Sequence, residues 1–245
     1  MNESVGITSG RSRQRPLALL VVALALAALS AAGAPSASGR AVAVQRTQEL
    51  AALLSSHRIR ASPAATSALL GVVPAITPIT HDRTVLPVLA HHGRWLKVLL
   101  PGRPNGHTGW IVKTATLHWA TNWHLVVDRA RRQVSVYRSG RLVRVFSAVV
   151  GKPSTPTPVG DFYVEESIAL RSSDVGAPFA LALSARSEVL QEFDGGPGQI
   201  ALHGLSNVGG IPGTAVSHGC VRLGDDVMRW LVVRIGSGTP VTITH

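Results

Sequence analysis

Cysteine is almost missing from this 245-residue chain, in which Cys220 is the only one. A single cysteine excludes an internal disulfide, so the thiol is either incidental or chemically used. Cys220 lies in the segment SHGCVRL, residues 217–223. Glycine lets the backbone approach a reacting group, and histidine and arginine favour a thiolate electrostatically. Because His203 lies upstream beside Gly204, the pattern predicts a thiolate nucleophile with a base from another part of the fold.

Lysine, acidic and aromatic residues are also scarce. The chain has 13 Asp and Glu against 24 Lys and Arg, and arginine supplies most of the net charge of +11 because the only lysines are Lys97, Lys113 and Lys152. The basic residues are scattered and lack interleaved aromatics, which argues against nucleic acid as a partner. Attraction to an anionic surface, such as a cell envelope, explains the charge. With 45% hydrophobic residues, 24 glycines and 15 prolines, the composition favours packed cores built from short strands and turns.

The first 38 residues are predicted to be a signal peptide or an N-terminal anchor. Three arginines between residues 11 and 15 precede an uncharged apolar run from 16 to about 29, and small residues follow. These are the three parts of a secretory signal peptide. The uncharged stretch before Arg40 is also long enough to span a bilayer, so an uncleaved anchor stays open. Both interpretations predict export, to the cell envelope or the extracellular space.

The next part of the chain is predicted to hold a helical or linker segment, 39–71, and a small β domain, 72–118. The leucines at 50, 53 and 54 would share one side of a helix over 44–55. Short apolar runs separated by glycine and asparagine turns predict three strands, at 84–88, 94–99 and 108–112. The WLKV and GWI patterns in this domain resemble the bacterial SH3-like barrel that often accompanies cell-wall enzymes. A β module that only packs against its neighbour stays an alternative.

Residues 123–245 are predicted to form a second domain after a linker at 119–123. Alternating apolar residues predict strands at 124–128, 133–137, 142–146 and 240–244. A short helix is predicted after Cys220, because Asp225 and Asp226 precede an apolar-periodic run that stops at Gly236.

Three segments of this second domain resemble the L,D-transpeptidase catalytic domain of the YkuD type. They are TPTPVGDF at 155–162, QIALHG at 199–204 and SHGCVRL at 217–223, and the similarity runs from about Trp123 to Ile243. The family signature places a histidine about 14 residues before Ser/Thr-His-Gly-Cys, and His203 precedes Ser217 by 14 positions. The resemblance implies a mainly β protein, an L,D-transpeptidase-type β-sandwich with a short helix after the cysteine, preceded by the SH3-like barrel.

The resemblance also implies roles for individual residues. Cys220 would be the nucleophile, and His203 the base that takes its proton, with the imidazole held by the backbone carbonyl of Gly204. Support of the oxyanion and of the surrounding loop is implied for four residues, His218, Gly219, Gly204 and Ser217. Arg222 would bind a substrate carboxylate or hold the loop in place, and a structural salt bridge stays open for it. The segment 155–158 is predicted to be a rigid turn rather than a reacting site.

The implied reaction is acyl transfer between peptidoglycan stem peptides. Cys220 would attack the carbonyl of the third stem residue, release the terminal D-alanine, and pass the acyl group to an amine of a neighbouring stem. The resemblance implies no metal or organic cofactor, and it implies that carbapenem β-lactams acylate the enzyme. Three alternatives stay open: an L,D-carboxypeptidase, a non-catalytic wall-binding protein, and a zinc site made by His203, His218 and Cys220.

Overall fold

The computed structural model describes residues 44–193 and 195–245. The predicted signal peptide or anchor, residues 1–38, lies outside the described residues. Within the described ranges the chain is mainly β, and no helix there is long and apolar enough to cross a membrane.

Seven antiparallel strands form the first sheet. They are β1 (Gln48–Leu53), β2 (His57–Arg60), β3 (Leu69–Val73), β4 (Val85–His92), β5 (Trp95–Leu99), β6 (Thr108–Val112) and β7 (Thr116–Thr121). Their order across the sheet is β3-β2-β6-β5-β4-β1-β7. The three predicted strands of this region are confirmed as β4, β5 and β6. The assignment of the sheet as an SH3-like barrel stays a prediction.

The helix predicted over 44–55 is wrong, because β1 runs through that segment. β1 pairs with β4 on one side and with β7 on the other, so ladder hydrogen bonds satisfy its backbone. The four residues Leu50–Leu53 are all buried, as in a strand covered on both faces, and such a short apolar run is indistinguishable from a buried helix by periodicity. The described part of the segment 39–71, from residue 44 onward, is therefore not a helical linker, since it supplies β1, β2 and most of β3.

Ten further strands and one helix complete the fold. They are β8 (Trp123–Asp128), β9 (Gln133–Arg138), β10 (Arg141–Ser147), β11 (Val150–Gly151), β12 (Gly160–Ala169), β13 (Phe179–Arg186), β14 (Gln199–His203), β15 (Ala215–Ser217), β16 (Val221–Arg222), α1 (Asp225–Val232) and β17 (Pro240–Thr244). Eight strands form a sheet in the order β10-β9-β8-β17-β12-β13-β14-β16, and β11 pairs with β15. The predicted strands β8, β9, β10 and β17 are confirmed, as is the short helix after Cys220.

The linker predicted at 119–123 is wrong. β7 ends at Thr121 and β8 begins at Trp123, so one residue, Asn122, separates the two sheets. Trp119, which was predicted to lie in the linker, pairs with Leu50 inside the first sheet.

Strand β12 joins the two halves of the eight-stranded sheet. Its first residues, Gly160–Tyr163, pair with β17, and the part from Val164 onward pairs with β13, with a register shift between Val164 and Glu166. Bulges of this kind bend a strand and increase its twist. The buried apolar side chains of both halves form one continuous core, which includes Leu125, Leu181 and Leu202.

The two sheets share buried groups. Tyr163 of β12 is fully buried in the apolar core of the first sheet. Glu166, three residues on, accepts hydrogen bonds at Oε2 from the backbone N–H of Ile79 (3.2 Å) and from the N–H and hydroxyl of Thr80 (2.7 and 2.9 Å). The β12 strand therefore carries side chains that belong to the packing of both sheets.

Candidate active site

Parallel pairing of β14 and β16 brings two of the predicted site segments side by side. In this register Leu202 lies opposite Val221, and His203 lies opposite Arg222. Cys220 immediately precedes β16, and its Sγ lies 4.0 Å from the carbonyl oxygen of Gln199 in β14. The three predicted residues Cys220, His203 and Arg222 line one cavity of about 290 Å³. The other lining residues are Val175, Ser187, Leu190, Phe193, Gly198, Gln199, Ile200, Val208 and His218.

The orientation of His203 is set by the residue that follows it. Nδ1 of the imidazole lies 2.8 Å from the carbonyl oxygen of Gly204. Because a carbonyl oxygen can only accept, Nδ1 carries the hydrogen and Nε2 is the unprotonated nitrogen of the neutral ring. This is the arrangement that a general base requires.

Close packing around His203 explains why two neighbouring positions, Gly176 and Gly204, have no room for a side chain. A Cβ at Gly204 would lie 1.8 Å from the carbonyl oxygen of Ala177, and a Cβ at Gly176 would lie 2.4 Å from Nδ1 of His203. Asp225, at the start of α1, accepts hydrogen bonds from the backbone of Leu205 (2.8 Å) and Ser206 (3.3 Å). The side-chain hydrogen bond from Ser206 holds the pKa of the Asp225 carboxyl below its usual value. An ionised Asp225 thus fixes the turn that follows His203.

The loop before Cys220 is closed on itself by Ser217. The Ser217 hydroxyl donates to the carbonyl oxygen of Cys220 (2.6 Å) and accepts from the N–H of Gly219 (3.2 Å). Gly219 has a φ of +123°, a conformation that favours glycine. The N–H of Gly219, predicted as an oxyanion donor, is therefore engaged in the resting geometry.

Two threonines from the predicted turn at 155–158 brace the same loop. The fully buried Thr157 hydroxyl donates to the carbonyl oxygen of Gly219 (2.8 Å) and accepts from the N–H of Gly151 (2.9 Å). Thr155 donates to the carbonyl oxygen of Ser217 (3.3 Å). The sequence predicted rigidity here from proline, but the contacts that position the cysteine loop come from the threonine hydroxyls.

His218 lies at the open side of the cavity. Its ring is exposed, stacks on Phe193 with centroids 5.7 Å apart, and has Nε2 3.3 Å from the Lys152 ammonium nitrogen. Lysine can only donate, so Nε2 accepts in this contact. The sequence did not predict Lys152 or Phe193 as a site residue, because neither belongs to the three motif segments.

Arg222 is largely buried beside the cavity. Its Nη1 donates to the carbonyl oxygens of Gly209 (3.2 Å) and Val208 (3.4 Å), and its buried Nε has no partner among the described residues. Within the same ranges no carboxylate lies within salt-bridge distance of it. A structural salt bridge of Arg222 is therefore not supported, because no carboxylate of the described residues is within reach. The bonds to the carbonyl oxygens of Val208 and Gly209 support the role of holding the loop.

Burial sets the protonation of the central pair. Desolvation raises the pKa of the Cys220 thiol, although the Ala201 N–H and the charge of Arg222 act in the opposite direction. Desolvation also lowers the pKa of His203. At rest, a neutral thiol beside a neutral imidazole is therefore favoured, because burial penalises the charged form of each group.

The connection between β13 and β14 supplies one wall of the cavity. We call it the pocket loop, residues 187–193 and 195–198. Ser187, Leu190, Phe193 and Gly198 from this loop line the cavity. No sequence signal pointed to this loop, since it lies outside the three motif segments and its position depends on the pairing of two strands. In the described part of the chain, no group of three or more His, Cys, Asp and Glu side chains is placed to hold a metal ion.

Comparison with known proteins gives a family match for the part of the chain that contains the second sheet. Residues 122–243 match the family model of the YkuD L,D-transpeptidase catalytic domain. The chain is 24% identical over 208 residues to L,D-transpeptidase 1 of Mycobacterium tuberculosis, covering 70% of this chain and 77% of that protein. It is 27% identical over 148 residues to the Bacillus subtilis protein YkuD, covering 60% and 74%. A solved structure of L,D-transpeptidase 3 from Mycobacterium tuberculosis, with a faropenem-derived adduct, aligns at 15% identity and a TM-score of 0.44 over 66% of this chain and 91% of that one.

Proposed function

Because residues 122–243 match the family model of the YkuD L,D-transpeptidase catalytic domain, we propose that this protein is a peptidoglycan L,D-transpeptidase that works through a Cys220 acyl-enzyme. The observation that carries the proposal is the convergence of Cys220, His203 and Arg222 on one cavity, with the His203 tautomer fixed by Gly204. A thiol, an oriented base and a nearby cation are the groups that thioester chemistry needs.

In the proposed acylation, Nε2 of His203 takes the thiol proton as Sγ of Cys220 bonds to the carbonyl carbon of the third stem residue. Because burial raises the pKa of the Cys220 thiol and lowers that of His203, we expect the proton transfer to accompany the attack. The imidazolium then gives the proton to the departing amine of D-alanine, which leaves a thioester on Cys220.

The tetrahedral oxyanion needs donors that are not already engaged. Since the Gly219 N–H donates to Ser217, the N–H groups of His218 and Cys220 are the better candidates. Neither of them has a backbone acceptor among the described residues. Loss of one oxyanion donor typically costs about 3 kcal/mol of transition-state stabilisation.

In the second half-reaction, an amine of a neighbouring stem peptide attacks the thioester, with His203 again taking and returning the proton. Cys220 is released as a thiol and a cross-link between third residues forms. Arg222 holds the carbonyls of residues 208–209 and adds positive charge to the cavity, which favours an anionic substrate group. Carbapenems would acylate the same sulfur, because ring opening of the β-lactam mimics the acyl donor.

An L,D-carboxypeptidase differs only in the acceptor, since water would attack the thioester. A wall-binding protein without activity would leave the thiol unmodified. Incubation with purified tetrapeptide muropeptides, followed by mass spectrometry, separates the three functions: a cross-linked dimer, a stem shortened by one alanine, or unchanged substrate. Cross-linked dimer is the expected product.

A further inference from the structure

We propose that Arg103, in the turn between β5 and β6 of the first sheet, is a positioning residue for the active-site cavity and acts through the pocket loop. This proposal rests on the proposed function. It adds that contacts from the first sheet set the position of one wall of the substrate-binding cavity. It concerns binding of the stem peptide or a carbapenem and leaves the reactivity of the thiol itself unchanged.

The guanidinium of Arg103 bonds to both ends of the pocket loop. Nη2 donates to the carbonyl oxygens of Ser187 (2.8 Å) and Leu190 (3.0 Å), and Nη1 donates to that of Pro197 (2.9 Å). Within the loop, the N–H of Ser187 donates to the carbonyl oxygen of Gly198 at 2.7 Å. One planar side chain therefore ties three carbonyls that are far apart along the loop, which suits the fixed fork of an arginine.

The base of the loop leaves no free space around this contact. A Cβ at Gly198 would lie 2.2 Å from the carbonyl oxygen of Leu190 and 3.2 Å from Nη2 of Arg103. Packing this close transmits a displacement of the arginine directly to the loop.

A second side chain of the same turn holds the strand from which the loop departs. Asn105 accepts from the N–H of Arg186 at Oδ1 and donates to the carbonyl oxygen of Arg186 from Nδ2, both at 2.8 Å. The N–H of Gly102 donates to the carbonyl oxygen of Ser184 at 3.2 Å. The β5–β6 turn thus fixes the end of β13, and Arg103 fixes the loop beyond it.

The pocket loop faces the reacting groups. Leu190 and Phe193 line the same cavity as Cys220 and His203, and Phe193 stacks on His218. A looser loop would leave the Cys220 side of the cavity in place but would move the opposite wall. Misplacement of a bound substrate by about 1 Å is enough to slow an enzyme by about a hundredfold.

The test uses the full-length protein with Arg103→Ala and Arg103→Lys, and Arg94→Ala as the matched control. Arg94 is an exposed arginine of the same sheet that lies over Trp95, 5.7 Å from its ring centroid. Lysine keeps the positive charge but cannot reach three carbonyls at once. Hydrogen exchange of the pocket-loop amides, alkylation of Cys220 by iodoacetamide, and the concentration dependence of acylation by a carbapenem are measured for all four proteins.

We expect faster exchange of the pocket-loop amides in both Arg103 variants and a loss of carbapenem affinity of about five- to tenfold, as two or three partly exposed hydrogen bonds would give. Iodoacetamide alkylation should change less than about twofold, and Arg94→Ala should match the wild type. Unchanged exchange and affinity in Arg103→Lys would overturn the inference, even if Arg103→Ala failed to fold. A parallel loss of iodoacetamide reactivity would also overturn it, because the effect would then be on the thiol.

The same experiment distinguishes an error in the proposed function from an error in the role of Arg103. If the wild type were not acylated by the carbapenem, the proposed function would be in doubt, while hydrogen exchange would still decide whether Arg103 holds the loop.

Discussion

Nδ1 of His203 lies 2.8 Å from the carbonyl oxygen of Gly204, the residue that follows it in the chain. The contact leaves Nε2 as the only nitrogen able to accept a proton in the neutral ring. Gly204 is in turn packed against Ala177, and the backbone after it is held by Asp225. The orientation of the proposed base therefore depends on a backbone position where a side chain has no room.

Gly204→Ala is expected to lower acylation of Cys220 by about a hundredfold, because the displaced backbone would turn the imidazole away from the thiol. Overpacking against Ala177 should also lower the free energy of unfolding by about 1–3 kcal/mol. Gly236→Ala is the matched control, since a Cβ at Gly236 meets no atom within 4 Å. Acylation kinetics and urea unfolding check both effects, and wild-type acylation by Gly204→Ala would contradict the role of this contact.

The pH dependence of the central pair follows from burial. Desolvation raises the pKa of the Cys220 thiol above its ordinary 9.0, so alkylation by iodoacetamide should still be increasing at pH 9.0. Desolvation lowers the pKa of His203 below its ordinary 6.5, so acylation by a carbapenem should begin to fall only at a lower pH than an ordinary imidazole would give. A plateau of alkylation at neutral pH would instead show a resting thiolate. The urea-denatured protein, with its single cysteine, supplies the reference titration.

Folding stability should respond to the same His203 shift. The unfolded chain takes up a proton near pH 6.5, before the folded chain does, because the folded pKa is lowered. The contribution of neutral His203 to stability is thus present above pH 6.5 and is lost as the pH falls through the folded pKa. Urea unfolding of the wild type and of His203→Gln should converge toward acid pH; a constant difference between them would contradict the shift.

Thr157→Val should destabilise the cysteine loop, because it leaves the Gly219 carbonyl and the Gly151 N–H without their buried partner. We expect a loss of about 1–3 kcal/mol for each buried group left unsatisfied, together with slower acylation. Thr157→Ser keeps the hydroxyl and should retain most of both properties. Equal stability of the valine and serine variants would show that the hydroxyl does not brace the loop.

Substitution of Tyr163 tests whether the two sheets unfold as one cooperative unit. Its side chain is fully buried in the core of the first sheet, and its hydroxyl has no partner among the described residues. Tyr163→Ala should cost about 3–5 kcal/mol, whereas Tyr163→Phe should be neutral or stabilising, since it removes an unsatisfied polar group. A small effect of Tyr163→Ala in urea unfolding would indicate that the sheets fold independently.

The sequence predicted the elements whose pattern is local. Strands with clear alternation, such as β8 and β9, and the helix after Cys220 were placed correctly, since hydrophobic periodicity and acidic N-terminal residues act within a few positions. The helix predicted over 44–55 is wrong because β1 forms by pairing with β4 and β7, which are distant in sequence. The residues of the three motifs meet in one cavity, but their chemical roles stay predictions. The neutral state of the resting thiol, the pocket loop and the contacts of Arg103 could not be predicted from the sequence, because desolvation and contacts between sheets exist only in the folded chain.

The most direct test of the central claim is mass spectrometry of purified tetrapeptide muropeptides after incubation with the wild type and with Cys220→Ala. The account predicts a cross-linked dimer and a transient thioester adduct on Cys220 in the wild type, and neither in the alanine variant, whose fold should be unchanged by circular dichroism. Cross-linked product from Cys220→Ala at the wild-type rate would contradict the assignment of Cys220 as the nucleophile.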